Sequence, residues 1–380
     1  MKKLKVVTIV GTRPEIIRLS RLIPKLDEYT DHIFVHTGQN SDPKLNEVFF
    51  EDLELRQPDY FLNVDTSSMG SVMGDTLKKA EEVFLEEKPD AVMILGDTNS
   101  SIAAIVAERM HIPVYHMEAG NRSFDNNVPE ELNRKMVDHI ASFNLPYNDY
   151  SMRNLLAEGI HPRFIQKTGS PIREIYEHYK DKIQSSTVVE DLGLEPGCYF
   201  LVSVHRQENV DMPDRLEKVL DCLLAVREMW NLPVMVSTHP RTRIRLEALS
   251  RNDQEGITFH EPFGYLDYNK LQIDSKCVIS DSGTISEEAH VLGFRGLSLR
   301  DSTERPEALE AGTVILTGLN SQILIQGIEM VQHTDISQRT PDGYDAGDFS
   351  MAVIKFLLST AKKVHTWRGI RRSTSANKAG

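Results

Sequence analysis

Residues 5–15 read KVVTIVGTRPE. The run Lys5–Val10 has no polar alternation beyond its first residue and Thr8, which is how a strand covered on both faces reads. Gly11 then permits a tight turn, and Pro14 falls where the first turn of a helix tolerates it. The segment is therefore a β-strand delivering a turn and a helix. The same unit recurs along the first half, with strand candidates at His32–His36, Ala91–Leu95, Pro113–Met117, Phe143–Pro146 and Phe164–Lys167. After about residue 190 the pattern restarts, at Tyr199–Ser203, Pro233–Val236, Ile257–His260, Cys277–Ser280 and Gly296–Leu299. Repeated βα units predict an α/β chain of two parallel sheets, each doubly wound by helices. The N-terminal domain is placed at residues 1–175 and the C-terminal domain at 176–350. A last helix near 351–372 is expected to return to the first domain, and the polar tail Ser373–Gly380 to be frayed.

The 380 residues suffice for two such cores, and 40% hydrophobic with 26% charged residues is an ordinary globular composition. A net charge of −13 argues against a nucleic-acid or anionic-membrane binder, so an anionic ligand must be met by local arginine clusters. Cys198, Cys222 and Cys277 have no CxxC or Cys/His metal spacing and read as three reduced, buried thiols. No metal and no cofactor are expected: GxGxxG and the Walker A pattern are both absent. The apolar run Val6–Val10 is too short for a signal peptide, and no stretch approaches the ~20 apolar residues of a membrane span. A cytoplasmic location is expected.

Open α/β sheets bind ligands outside the carboxyl ends of their strands, and two such sheets can face each other across a cleft. The residues just after each strand therefore matter most. Arg13, at a helix start, reads either as a diphosphate contact or as a surface charge pairing with Glu15. Asp97 reads either as a helix N-cap or as a catalytic carboxylate. Glu118 sits between a buried strand and Gly120. In Pro129-Glu130-Glu131, one acid is expected to be merely dipole-favoured. Asp97, Glu118 and Glu130 or Glu131 thus come from successive loops, and acid/base work is preferred to an Mg²⁺ site, with mutual repulsion separating their pKa values. In the second half, His205 and Arg206 follow a strand and look like an anion site; His239 is similar but weaker. Ser282 and Gly283 are read as opening a helix with free N–H groups, Glu288 as an acceptor further in, and Arg305 as a further cation. Glu287 and Glu288 also read as a solvated helix face, with only one of them used.

In order along the chain, GTRPE, TGQN, LGDT, MEAGNR, PEELNR, HRQEN, SDSGTISEEA and DSTERPEALEAGT resemble the motifs of the nonhydrolysing UDP-N-acetylglucosamine 2-epimerases. The resemblance runs from about Val6 to Thr313. It implies a glycosyltransferase-B-like fold, two Rossmann-like domains facing across a cleft, and a homodimer. It carries catalytic roles onto Asp97, Glu118, Glu130 and His205, and substrate contacts onto Arg13, Arg206, Ser282, Gly283, Glu288 and Arg305. Uracil is expected against the Phe263-Gly264-Tyr265 loop. Arg18, Gln39, Arg122 and His239 are further contacts on the sugar side. Four places depart from the family pattern: Arg18 stands for a lysine, Asn40 for a histidine in TGQH, Ser123–Val128 lacks the usual sequence, and Ser237–Pro240 replaces Pro-x-His-x-Asn-Pro. Arg18 keeps a charge but resists losing a proton. Asn40 puts the family's allosteric UDP-sugar site in question. The whole resembles the branch that converts UDP-2-acetamido-2,6-dideoxy-L-talose to UDP-N-acetyl-L-fucosamine for bacterial capsule or O-antigen polysaccharide.

The chemistry agrees with that expectation. The C2 hydrogen of an N-acetyl sugar is not acidic, because C1 carries no carbonyl. If UDP leaves first, charge builds at C1 and the C2 proton can be removed, giving a 2-acetamidoglycal. Re-addition with protonation on the opposite face gives the epimer. Alternatives are a UDP-GlcNAc 2-epimerase giving UDP-ManNAc, a hydrolysing epimerase, a UDP-sugar glycosyltransferase and a non-catalytic nucleotide-sugar sensor.

Overall fold

The computed structural model describes residues 2–39, 50–249, 255–334 and 339–370. In the first half, six strands form one parallel sheet: β1 (Lys5–Val10), β2 (Asp31–His36), β3 (Tyr60–Phe61), β4 (Ala91–Leu95), β5 (Val114–Met117) and β6 (Phe143–Leu145). Their order across the sheet is β3-β2-β1-β4-β5-β6. A second parallel sheet holds β7 (Phe200–Ser203), β8 (Val234–Ser237), β9 (Ile257–His260), β10 (Cys277–Ser280), β11 (Gly296–Ser298) and β12 (Val314–Leu316), in the order β12-β11-β10-β7-β8-β9. The two have the same topology. In each, the strand order reverses at the first strand, beside β4 in one sheet and β10 in the other, and that reversal opens a crevice at the carboxyl ends. The chain is two Rossmann-like α/β domains.

The strand β1 shows why its unbroken apolar run was decisive. Val6 and Val10 pack into the core on one face, Val7 and Ile9 into the core on the other. The one polar interior residue, Thr8, meets His32 Nε2 at 3.0 Å on the neighbouring strand. Burying both faces holds the register of Val7 against Ile33 and Val92, because a one-residue slip would exchange the two cores.

The segment Phe164–Lys167 is not a strand. Pro162–Phe164 forms a short 3-10 turn, and a single bridge joins Ile165 to Asn144. Proline cannot donate to a ladder, so the chain skirts the edge of β6 instead of extending the sheet. Two strands carried no readable pattern: β3 and β12 are edge pieces of two and three residues. Cys222 and Cys277 are buried as expected, but Cys198 is exposed, since it lies in the turn ahead of β7. No described helix is long and apolar enough to cross a membrane.

Two helices govern how the halves are joined. The helix Ile172–Gln184 buries Ile172, Ile175, Tyr179 and Ile183 in the first core, while its Tyr176 touches both cores. The next helix, Val188–Asp191, already packs in the second. Beyond the helix Ser321–His333 of the second core, the chain returns: Phe349, Val353, Ile354 and Leu357 of helix Phe349–Thr360 lie in the first core, and Tyr115 Oη meets Thr360 Oγ1 at 2.7 Å. The tail from residue 371 on lies outside the described residues.

Candidate active site in the cleft

The turn after β1 is packed too tightly for any side chain at Gly11, where a Cβ would lie 2.0 Å from Ser100 Oγ and 2.3 Å from Thr37 Oγ1. Glu15 is not a surface residue. It folds back to accept from the Gly11 and Thr12 amides at 2.9 and 2.8 Å, from Thr12 Oγ1 at 2.8 Å and from Thr98 Oγ1 at 3.0 Å. Burial pushes its carboxyl up to about 7 against those four donors. The turn thus presents Arg13 as the first residue of helix Arg13–Leu19.

The N-cap after β4 is Thr98, whose Oγ1 accepts from the Ser100 amide at 3.2 Å. Asp97 is therefore not the cap; its carboxylate accepts from Arg134 Nε at 2.9 Å and from Nη2 of the same group. Arg134 also donates to Glu131 at 2.7 Å. Glu131 is buried, with Ser123 N, Ser123 Oγ and Phe124 N on its oxygens at 3.0–3.3 Å. Burial would raise its pKa, but the Ser123 amide and Arg134 hold it at about 2. It anchors the 123–131 loop, whereas Glu130, the first residue of helix Glu130–Ile140, keeps partial exposure and faces the field of Arg206.

Glu118 adopts φ 61°, a left-handed conformation that L-residues other than Asn and Asp seldom take. The turn aims it across the cleft, where its carboxylate meets Arg305 Nη2 at 2.7 Å and Arg18 Nη1 at 3.4 Å. Glu287 closes the figure. It is fully buried and lies 2.5 Å from Arg18 Nη2, 3.1 Å from Arg305 Nη2 and 2.5 Å from Ser170 Oγ. Glu118, Arg18, Glu287 and Arg305 thus form an alternating ring with two members from each half of the chain. Burial pushes the Glu287 carboxyl up, and the two guanidinium groups hold it below the ordinary range. One expectation needs correcting: Glu287 is no solvated helix face. Asp97 and Glu118 each have a guanidinium partner. Among the described residues, no three His, Cys, Asp or Glu side chains converge to hold a metal ion. Arg18 serves Glu118 and Glu287 rather than the open cleft.

Across the cleft, Asp281 is fully buried and accepts from the His205 and Arg206 amides at 3.0 Å each and from Asn209 Nδ2 at 3.1 Å. These bonds hold the β7 loop, leaving the His205 side chain 44% exposed. Arg206 Nη2 lies 3.4 Å from Glu304, which also binds Arg300 Nη1 at 2.6 Å. Burial opposes the charge on Glu304, yet Arg300, Arg206, Arg134 and Arg305 keep it ionised well below the usual range. Contrary to the expectation from sequence, Ser282 and Gly283 do not open the helix; it begins at Ile285, and they form the turn ahead of it. Ser282 Oγ and Thr284 Oγ1 are hydrogen-bonded at 2.9 Å, and the Gly283 carbonyl accepts from Arg305 Nε at 2.7 Å. A Cβ on Gly283 would sit 2.6 Å from Glu304 Oε1 and 3.1 Å from Arg206 Nη2. Gly283→Ala should therefore displace Glu304 and Arg206; where this turn holds a UDP diphosphate, as the sequence resemblance implies, UDP affinity should fall by about tenfold, roughly 1.4 kcal/mol, read by calorimetry. Glu288 is partly buried, accepts from Gln272 Nε2 at 2.7 Å and has its pKa raised by burial. Phe263 stacks on His260 with centroids 4.2 Å apart, just ahead of Gly264, the cap of helix Tyr265–Asp274.

Arg122 does not reach the cleft. Its donors are committed to Asp138 at 2.7 Å, Glu158 at 2.8 and 2.6 Å and the Asn121 carbonyl at 2.7 Å, so it ties the first domain internally. Gln39 Oε1 accepts from Ser100 Oγ at 3.4 Å, and Asn40 lies outside the described residues. His239 Nδ1 accepts from the Arg241 amide at 3.3 Å at the start of helix Pro240–Leu249. Sequence reading names Glu287 only as the alternative to Glu288 and misses Glu304. Both look like ordinary acids near a helix start, and only their partners, far away in the chain, reveal them.

Residues 25–358 match the family model described as UDP-N-acetylglucosamine 2-epimerase. The UDP-N-acetylglucosamine 2-epimerase of Methanocaldococcus jannaschii is 37% identical over 356 residues, 90% of this chain and 95% of that protein. Its structure in complex with UDP-GlcNAc and UDP superposes with a TM-score of 0.88, at 35% identity, covering 94% of this chain and all of the other. The solved UDP-N-acetylglucosamine 2-epimerase from Rickettsia bellii gives a TM-score of 0.89 at 40% identity, over 97% of this chain and 100% of that one. A UDP-2,3-diacetamido-2,3-dideoxy-D-glucuronate 2-epimerase of Pseudomonas aeruginosa is 31% identical over 93% of this chain and 99% of its own length.

Proposed function

Because the chain belongs to the UDP-N-acetylglucosamine 2-epimerase family, whose members are isomerases, we propose that it inverts C2 of a UDP-linked 2-acetamido sugar, converting UDP-2-acetamido-2,6-dideoxy-L-talose to UDP-N-acetyl-L-fucosamine. The observation that carries the reaction type is the placement of Glu118 and Asp97. Two carboxylates stand at the carboxyl ends of adjacent strands, each held by guanidinium groups, opposite a loop rich in cations. Asp97 and Glu118, with Glu130 beside Arg206, remove and return the C2 proton. The electron pair of the C–H bond forms the C1=C2 double bond, and the C1–O pair leaves with UDP. Arg13, His205, Arg206 and Arg305 stabilise the departing diphosphate. For the return step, a carboxylic acid protonates C2 from the other face as a phosphate oxygen rejoins C1. Arg305 is shared between Glu118 and the Gly283 carbonyl, so it links the base to the diphosphate turn.

The choice of sugar rests on the departures at Arg18, Asn40 and Ser123–Val128 and on the branch they resemble. The P. aeruginosa relative, named for a different UDP-amino sugar, is in keeping with a family whose members divide by sugar. A second reading, UDP-GlcNAc to UDP-ManNAc, is favoured by the names of the M. jannaschii and R. bellii proteins. The protein incubated separately with each UDP-sugar and followed at C2 by proton NMR separates the two. Inversion of the 6-deoxy-L-talo sugar is expected; turnover of UDP-GlcNAc alone would replace it. In heavy water the epimer should acquire deuterium at C2, and full retention of the substrate hydrogen would rule out this proton transfer. A homodimer acting in the cytoplasm belongs to the same proposal, and light scattering of the purified protein measures its mass.

A further inference from the structure

Behind the carboxylates lies a buried group that the reaction itself does not use. His116 is on β5, two residues before Glu118, and is fully buried. Its Nε2 lies 2.8 Å from the carbonyl oxygen of Gly96, the residue before Asp97. Its Nδ1 lies 2.9 Å from Oδ1 of Asp138, also fully buried, on the helix that Glu130 begins; this is ion-pair distance, with the N–H pointing off the line to the oxygen. Asp138 in turn accepts from the amide of Gly120, two residues after Glu118, at 3.2 and 3.1 Å, and from Arg122 Nη1 at 2.7 Å. One imidazole and one carboxylate therefore touch the backbone or helix of all three segments that carry Asp97, Glu118 and Glu130.

The chemistry of the contacts fixes the charge state. A carbonyl oxygen can only accept, and so can an ionised carboxylate. A buried ring between two acceptors needs a proton on each nitrogen. A neutral tautomer would set a lone pair against an oxygen. We propose that His116 is a buried imidazolium, and that it is the positioning residue that locks the Asp97 and Glu118 loops to helix Glu130–Ile140. The proposal rests on the acid/base reading of those carboxylates.

The charged groups facing His116 are Asp138 from the helix, Asp97 from the β4 loop, and Arg122, which shares Asp138 and is balanced by Glu158. Burial alone would lower the pKa of the ring; Asp138, the Gly96 carbonyl and Asp97 reverse this and raise it above 6.5. The sign follows: the charge is present below that raised value and is lost as pH rises through it, so the lock weakens on the alkaline side.

Two measurements on the wild-type protein and one variant test this. With ¹⁵N-labelled histidine, both ring nitrogens of His116 should show imidazolium shifts at pH 7, with or without substrate; a neutral ring would overturn the proposal even if epimerisation is confirmed. The alkaline fall of kcat should follow the loss of that imidazolium signal, and a kcat that stays flat while the ring titrates would also overturn it. His116→Gln keeps a donor for Gly96 but no charge. It should lower kcat by about tenfold to a hundredfold through misplaced carboxylates, with KM and UDP affinity nearly unchanged and the alkaline limb gone. Equal losses in kcat and UDP affinity would mark a general structural defect and defeat the assignment. If the wild type turns over no UDP-sugar, the functional reading fails, whereas the ¹⁵N shifts still report the charge.

Discussion

Glu118→Gln should cut turnover by about 10²–10⁴-fold and leave UDP bound, because an amide of the same size cannot take a proton from C2. Glutamine can keep the left-handed backbone at this position at a cost close to that of glutamate, since both carry the same Cβ and stem. What it loses is charge. Arg305 and Arg18, which now meet the Glu118 carboxylate at 2.7 and 3.4 Å, keep Glu287 as their common anion. UDP affinity should then be equal to or tighter than in the parent, since Arg305 is freer to meet a phosphate. Initial rates from the C2 proton signal and calorimetry with UDP give both quantities. Parent-like turnover would remove Glu118 from the chemistry.

Glu287→Gln should be the most destabilising single change in the cleft, at about 3–5 kcal/mol, because it strands charge that is already out of water. Arg18 and Arg305 are each only 3% exposed, and without Glu287 the pair keeps Glu118 as its one shared ion-pair partner among the described residues, with Glu304 and Glu307 acting on Arg305. Equilibrium urea unfolding of parent and variant reads the difference. The pH dependence carries a second signature. Glu287 is held below its ordinary 4.5, so its contribution is present above that value and is lost as pH falls through the lowered native one. The acid loss attributable to this group should be missing in the variant. A variant within 1 kcal/mol or so of the parent would mean that water reaches these guanidinium groups.

Much of the architecture was readable because both faces of each long strand are covered, so strands appear as apolar runs. The runs at Lys5–Val10 and Ala91–Leu95 could not be mistaken. By contrast β3 and β12 are too short to carry any pattern, and Pro162 turned an apolar stretch away from the sheet. The site divides in the same way. Asp97, Glu118 and His205 stand out because a charged residue just after a buried strand is unusual in itself. Glu287, Glu304 and Asp138 do not, since an acid in a helix or just ahead of one is commonplace in one dimension. Their meaning lies in partners such as Arg18, separated from Glu287 by 269 residues. Of the pair Glu130 and Glu131, sequence shows only that a helix begins there; burial and Arg134 show which acid holds the loop.

The chain passes between its two cores twice, once between Gln184 and Val188 and again between His333 and Phe349. Two covalent passages act on the halves as two pins act on a door. Sliding and twisting would stretch one passage or the other, so the remaining freedom is a swing about the line that joins them. The alternating ring of Glu118, Arg18, Glu287 and Arg305 lies beside the second of these pins: Glu287 accepts from Ser170 Oγ at 2.5 Å, and the Ser170 amide donates to the Gly343 carbonyl at 2.8 Å. Points near a pin move least when a door swings. The four charges can therefore stay paired while the parts of the cleft farther from the pin open and close.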